Sequence, residues 1–175
     1  MPIIHKFPAP ENALIQTYVR APQAYTDSYC TDLPFQISFR EYLLAFYTTP
    51  LFKLERLILL LVRKPSTDEE AIQLAQGVRA SFAAWSVEAR SKNQILMCDF
   101  ASRTRSWLMT LPTEHGTRLY FGSVVIPEKN PRVKTLPLGV FFHLLLIFHK
   151  VYSMALLYSA RSKVTRQHYL STRKS

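Results

Sequence analysis

The chain has 175 residues, 48% hydrophobic and 19% charged, which excludes a disordered chain and predicts one folded domain. Two distant cysteines, Cys30 and Cys98, exclude a disulfide framework and favour a reducing cytoplasm. Most of the net charge of +10 comes from the end of the chain, because nine of the 22 Lys and Arg residues follow Glu128 and no Asp or Glu does. Such a basic end suits either an anionic membrane surface or a solvated tail, and no motif favours nucleic-acid binding.

The first part of the chain is predicted to carry little regular structure. Residues 1–23 contain four prolines and form an extension expected to wrap the surface. They lack an apolar core of signal-peptide length, as expected of a cytoplasmic protein. Residues 24–33 then alternate aromatic and polar side chains, which predicts the first strand.

Three helices are predicted next. Ser38 and Glu41 have the spacing of a capping box, which places the start of the first helix. Thr49-Pro50 ends that helix, and a second runs over 51–63, since proline fits a first turn but not a helix interior. A short third helix begins at a capping box at Thr67 and closes at Gly77.

The hydrophobic period then changes from about 3.6 to 2, which predicts strands. Short turns separate four of them, so they form an antiparallel meander. Gly116 lies in the last turn, where it is able to take a positive φ, and Gly122 in mid-strand indicates a bulge or a close approach by a helix. The predicted strands are 82–90, 94–100, 103–111 and 117–126.

A long apolar helix is predicted over 138–160, after a basic, proline-marked loop over 127–137. Its length is enough to span a bilayer, but Lys150 falls near its centre, and a mid-bilayer charge costs about 3 kcal/mol or more. A helix that packs on the sheet is therefore favoured over a membrane span. Residues 161–175 are predicted to be a flexible basic tail.

Strands and helices are segregated along the chain, which predicts an α+β fold. Its order is one N-terminal strand, two short helices that meet at Thr49-Pro50, a further short helix, a meander of four or more strands and a long C-terminal helix. This order resembles the helix-grip fold of the START-like superfamily, also called SRPBCC, over residues 24–160. The stretches 45–50, 105–108 and 119–122 are similar to its small bacterial members of unknown function. Members have six strands where four are found here, so either the sheet is smaller or short strands lie in the predicted loops.

The resemblance implies a hydrophobic pocket between the sheet and the last helix, in which members hold lipids, steroids or aromatic compounds. The two-residue period puts Arg105 and Trp107 on the same face of one strand, and Arg118 and Tyr120 on the same face of the next strand. With both pairs on a single face of the sheet, the two arginines are predicted to form the cationic end of an apolar slot lined by the two aromatic rings. The alternative to this slot is a packed core from which the arginines extend to solvent. For Asp99, the alternative to ligand binding is an ion pair with the neighbouring arginines. The candidate pocket residues are Trp85, Asp99, Arg105, Trp107, Arg118, Tyr120 and Tyr152.

The sequence favours a binding protein for a small hydrophobic or amphipathic molecule, without a cofactor. A cyclase or hydrolase on the same scaffold stays open, with Asp99 and Tyr120 as its first candidate groups, and so does attachment to a membrane surface. Only four glycines are present, which argues against a phosphate-binding loop. His143 and His149 are six residues apart rather than four, so no helical metal site is predicted.

Overall fold

A computed structural model describes residues 4–61, 65–126 and 138–173 of the chain. It confirms the α+β class, with an antiparallel sheet and a long C-terminal helix. The strands are β1 His5–Lys6, β2 Tyr25–Leu33, β3 Ser81–Phe82, β4 Trp85–Ser91, β5 Gln94–Asp99, β6 Thr104–Thr113 and β7 Gly116–Val125. The helices are α1 Gln16–Val19, α2 Phe39–Tyr47, α3 Pro50–Leu61, α4 Asp68–Gln76 and α5 Leu138–Thr172. The loop predicted for 127–137 lies outside the described residues.

The seven strands form one sheet in the order β1-β2-β7-β6-β5-β4-β3, and every neighbouring pair is antiparallel. The first long strand therefore pairs with the last one, while β4 to β7 form the predicted meander. The two strands that the sequence did not reveal, β1 and β3, have two residues each, too few to show an alternating pattern. The sequence predicted five strands in all, and the described residues contain seven. Only β3 is added between the helices and α5, so five strands lie there among the described residues, where the resemblance implies six.

The helix starts follow from local chemistry, as predicted. The Ser38 and Thr67 side chains accept hydrogen bonds from the backbone N–H of Glu41 and Glu70, and each glutamate reaches back to complete a capping box. Pro50 is the first residue of α3, and the Thr49 hydroxyl accepts from the Phe52 N–H. These bonds satisfy backbone donors that a helix start leaves unpaired.

The principal core lies between the helices and one face of the sheet. Phe46 and Leu43 of α2 are buried there against Phe121 and Leu108, which belong to β7 and β6. Leu157 of α5 and several neighbours on that helix cover the same face. Because this contact continues through buried Val164, the helix runs on to Thr172 instead of ending near Ala160 as predicted.

The opposite face of the sheet carries a second core, which the N-terminal segment covers. Ile15 is buried there against Trp107 and Tyr120. Gln94 holds this segment: its side-chain oxygen accepts from the Leu14 N–H at 2.8 Å and from the Trp107 indole at 2.9 Å. Residues 4–23 are therefore a packed layer of the fold, not only a surface wrap.

Gly122 lies where this second layer comes closest to the sheet. A Cβ at this position would lie 2.9 Å from both Ile15 Cδ1 and Trp107 Cε3. The pairing of β7 with β2 and β6 is regular at Gly122, so no bulge forms there. The close approach expected at Gly122 thus comes from the N-terminal segment and Trp107, whereas the terminal helix packs on the other face.

Candidate functional site

A cavity of about 200 Å³ lies between the sheet and α5, and we call it the α5 cavity. Its apolar wall consists of aromatic rings from α2, α3, β4 and β7. Phe46 stacks on Phe121 with ring centroids 5.1 Å apart, and Phe52 lies 5.8 Å from Trp85. Tyr152 and Leu156 of α5 close the opposite side. The walls therefore offer an aromatic environment from four separate elements to a small molecule.

Hydroxyl groups form a polar edge of the same cavity. Ser106 on β6 and Ser123 on β7 are directly paired across the two strands, and Thr104 lies two residues before Ser106 on the same face. From the helix side, Ser153 of α5 is only 1% exposed and also lines the cavity. Hydroxyl groups both donate and accept hydrogen bonds, so this edge is able to orient a polar group of a ligand.

A buried carboxyl group lies beside this edge. Asp27 of β2 is paired with Ser123 in the strand register, and the Ser123 hydroxyl donates a hydrogen bond to Asp27 Oδ1. The Tyr29 hydroxyl lies 3.5 Å from Asp27 Oδ2. Burial, reinforced by the neighbouring Asp27, raises the pKa of Tyr29, so its phenol stays protonated and remains a donor. The group that anchors the polar edge is thus Asp27, which sequence reasoning did not select.

Two predicted pocket residues, Trp85 and Tyr152, line the α5 cavity. Arg105 borders it, but its guanidinium is hydrogen bonded on the other face of the sheet. There Arg105 Nε donates to the Tyr18 hydroxyl and to Glu88 Oε2, both at 3.0 Å. Arg105 therefore ties the N-terminal segment to the sheet and supplies no charge to the cavity.

Three of the predicted pocket residues lie on the face of the sheet opposite the last helix, namely Trp107, Arg118 and Tyr120. Contrary to the prediction, they do not line the α5 cavity. Trp107 and Tyr120 belong to the second core. Arg118 forms a bidentate pair with Asp32 at 2.7 and 2.9 Å, and this pair raises the pKa of Arg118 and lowers that of Asp32. Arg105 and Arg118 also lie at opposite ends of the β6–β7 ladder, so they form no common cationic end.

Asp99 lies at the turn between β5 and β6, where it caps backbone groups. Its Oδ1 accepts from the N–H of Arg103 at 2.7 Å and of Thr104 at 3.1 Å. Neither Asp99 nor Tyr120 lines the α5 cavity. The enzyme alternative therefore lacks both ionisable groups that the sequence had assigned to it.

The cavity-lining hydroxyls were missed because a strand's alternation does not say which face meets the helix. Thr104 and Ser106 alternate with Arg105 and Trp107, and the larger side chains suggested the pocket face. The usable signal was Ser153, a polar residue within an apolar helical run. Ser153 and its neighbours Tyr152 and Leu156 line the same cavity as Ser106 and Ser123.

Larger grooves lie elsewhere on the described part of the molecule, and two of them are the most voluminous. One, of about 410 Å³, lies between the N-terminal segment and β2, beside exposed Lys6 and Phe7. The other, of about 590 Å³, lies between α3 and α5, beside Lys53, Lys163 and Arg166. Both are surface depressions bordered by exposed side chains, whereas the α5 cavity combines aromatic walls with buried polar groups. We therefore regard the α5 cavity as the candidate site.

The fold and the site together define an α+β protein whose seven-stranded antiparallel sheet holds an aromatic cavity beneath a long terminal helix. The chain matches no protein-family model, no curated protein and no solved structure. In the part of the chain that the structure describes, no helix combines the length and apolar character of a membrane span. The described residues also contain no metal-binding group of three His, Cys, Asp or Glu, and the side chains of His143 and His149 lie outside them.

Proposed function

We propose that the protein binds a small apolar or amphipathic molecule in the α5 cavity. The observation that carries this proposal is that aromatic walls and an edge of hydroxyl groups, with Ser123 and Ser153 buried, line the same cavity, as is usual in a small-molecule site. The element order that resembles the helix-grip fold supports the same proposal, because members of that superfamily hold ligands between the sheet and the last helix.

The cavity volume limits the size of the ligand. At about 200 Å³ the cavity is smaller than most drug-sized sites, which run from about 300 to 1,000 Å³. A dry protein cavity of about 150 Å³ is known to accept benzene. The α5 cavity therefore suits a compound with one aromatic ring and a few further atoms, such as phenol or benzyl alcohol.

Filling the cavity tests the proposal. Ser153→Leu adds a branched side chain at a position that is 1% exposed and faces the cavity. We expect phenol to bind the native protein at millimolar concentration and to bind this variant at least about tenfold more weakly, because the added atoms occupy the ligand's volume. Titration of amide shifts by NMR measures both affinities.

Ser162→Leu is the matched control, since Ser162 is exposed on the same helix. It makes the same chemical change away from the cavity, so phenol binding should stay within about twofold of the native value. Absence of any binding of one-ring probes to the native protein would contradict the proposed function. Equal loss of affinity in the two leucine variants would do so as well.

A second candidate function is attachment to an anionic membrane surface, and the exposed stripe of α5 favours it. Val151, Tyr158, Arg166, Tyr169 and Arg173 are all exposed and recur near helical spacing along one side. The α5 segment contains no Asp or Glu. Tyrosines suit the water–lipid boundary, and each arginine near an anionic surface contributes about 1 kcal/mol.

Vesicle sedimentation tests this second function. We expect binding to vesicles of phosphatidylcholine mixed with phosphatidylserine, weakening as salt rises, and little binding to phosphatidylcholine alone. Reversing both arginines of the stripe, Arg166→Glu with Arg173→Glu, should weaken binding at least about tenfold. The control reverses exposed Arg20 and Arg40 instead, and an equal effect of the two pairs would contradict attachment through α5.

A further inference from the structure

The groove between α3 and α5, which we call the α3–α5 groove, is separate from the α5 cavity. Its volume of about 590 Å³ falls in the range of sites for small organic molecules, about 300 to 1,000 Å³. The groove and the α5 cavity share no lining residue among those described. On the α5 side its lining residues are three or four positions apart and so form one stripe of the helix: Ser159, Ser162, Lys163, Arg166, Gln167 and Leu170.

The described lining of the groove contains three cations and no acid. Arg166 is exposed, and none of the described residues forms a salt bridge with it. Lys163 Nζ donates to the Thr48 carbonyl oxygen at 2.7 Å and to the Thr48 hydroxyl at 2.5 Å, and both of these acceptors are neutral. Lys53 pairs with Asp68 at 2.5 Å. The groove therefore holds more positive charge than the neighbouring acid balances.

The two lysines of the groove are close enough to repel each other. Burial lowers the pKa of Lys163, and the positive charge of Lys53 lowers it further, against the opposite effect of Asp68. The Asp68 carboxylate is shared, because Arg56 also pairs with it at 2.5 Å. A negative charge placed in the groove would relieve the repulsion between the lysines, so the electrostatics of the groove favour an anion.

Exposed leucines continue the surface of the groove away from its cations. Leu170 lines the groove, and on α3 Leu54 and Leu57 follow the lining residue Pro50 by four and seven positions, which puts them on the same side of that helix. The exposed fractions of the three leucines lie between 50% and 60%. Lys53 lines both the groove and the neighbouring depression that contains Leu57. Adjoining exposed apolar side chains of this kind mark binding surfaces.

The combination of charges and leucines decides the class of ligand. A nucleic acid or an acidic peptide presents several negative charges in a row, whereas one of the three groove cations is already paired with Asp68. A single carboxylate matches Arg166, whose guanidinium binds such a group through two hydrogen bonds, and Ser162 and Gln167 beside it are further donors. The leucines in turn suit an apolar chain, since each methylene that leaves water adds to affinity.

We propose that the α3–α5 groove binds a single-chain organic acid, with its carboxylate between Arg166 and Lys163 and its apolar chain over Leu54 and Leu57. This site is additional to the α5 cavity, and its ligand belongs to a different chemical class. The cations select the acid group, and the leucines select the chain.

Comparison of decanoate with decanol tests the charged part of the site, because the two carry the same chain with and without a negative charge. In NMR titrations below the concentration at which decanoate aggregates, we expect decanol to bind at least about fivefold more weakly than decanoate. Arg166→Gln should weaken decanoate binding about fivefold to tenfold and leave decanol within about twofold. Arg20→Gln, which removes the same charge from an exposed position of the N-terminal segment, is the control and should change neither affinity.

Leu57→Gln tests the apolar part of the site. It should weaken decanoate and decanol by the same factor, about threefold to fivefold, because both ligands lose contact with the leucine. The control is Leu111→Gln, the same change at a partly exposed position of β6 outside the groove, which should leave both affinities unchanged.

The outcomes distinguish the groove from the α5 cavity. Decanoate binding that persists in Ser153→Leu, the variant that fills the cavity, supports the groove. If Ser153→Leu abolishes decanoate binding and Arg166→Gln does not weaken it, the acid occupies the cavity and the groove proposal fails. It also fails if decanoate does not bind, if decanol binds as tightly, or if acetate binds as tightly, since the groove would then hold small anions only. Phenol binding tests the cavity separately, because Arg166→Gln leaves the cavity intact.

Discussion

Gly116→Ala is expected to destabilise the protein by more than about 3 kcal/mol, or to prevent folding. A Cβ on Gly116 would lie 1.9 Å from the Leu33 carbonyl oxygen and 2.8 Å from the Phe35 backbone nitrogen. Both are backbone atoms of the chain leaving β2, so no side-chain rotation relieves the overlap. Gly116 is the first residue of β7 and pairs with Thr113 at the hairpin, so a shift here disturbs the register. Urea unfolding followed by circular dichroism measures the effect.

The control for this prediction is Gly77→Ala. Gly77 closes α4 with φ of 79°, and a Cβ there would meet only the Arg90 guanidinium at 3.7 Å or more. Alanine at this position costs about 1 kcal/mol, because of the left-handed backbone and not because of crowding. If Gly116→Ala proves no more destabilising than Gly77→Ala, the close packing assigned to the β2–β7 junction is wrong.

Trp107→Ala is expected to lower the free energy of unfolding by about 3–5 kcal/mol. Trp107 is fully buried in the second core, packs against Tyr120 and donates its indole N–H to Gln94. Removing the ring leaves a cavity beneath Ile15 and takes one donor from Gln94, which also binds Leu14. The N-terminal segment should then loosen, so limited proteolysis within residues 4–23 should become faster than in the native protein.

Trp85→Ala is the companion variant, since Trp85 is partly exposed and lies on the helix-facing side. It should cost less stability than Trp107→Ala and should leave proteolysis of the N-terminal segment unchanged. It should instead weaken binding of one-ring probes, because Trp85 lines the α5 cavity. Equal proteolysis of the two variants would contradict the placement of the N-terminal segment over the second face.

Most of the secondary structure was predictable because its signals are local. The capping boxes at Ser38 and Thr67, the break at Pro50 and the glycine end at Gly77 all depend on residues within one turn of each other. The four meander strands follow from their two-residue period. Strand β5, apolar on both faces, was expected to be central and lies inside the sheet between β4 and β6.

The extent of two segments was not predictable, because tertiary contacts set it. Residues after Ala160 are basic enough to suggest a tail, yet Val164 is buried and Lys163 donates from α5 to the Thr48 carbonyl at 2.7 Å. The N-terminal segment lacks a periodic pattern, and Gln94, 80 residues away from Leu14, holds it in place. Such contacts between distant residues cannot be predicted from a short window of sequence.

The cavity shows most clearly which features the local sequence predicts and which depend on tertiary contacts. The sequence predicted that the long apolar helix packs on the antiparallel sheet, and it included Trp85 and Tyr152 among seven candidate pocket residues; these two line the α5 cavity. Only the tertiary structure decided which face of β6 and β7 meets that helix, because a period of two makes either face possible. In the structure, Trp107 and Tyr120 pack against the N-terminal segment, and Ser106 and Ser123 lie beneath α5. The structure also places Asp27 beside Ser123, through a strand pairing that joins residues nearly a hundred positions apart.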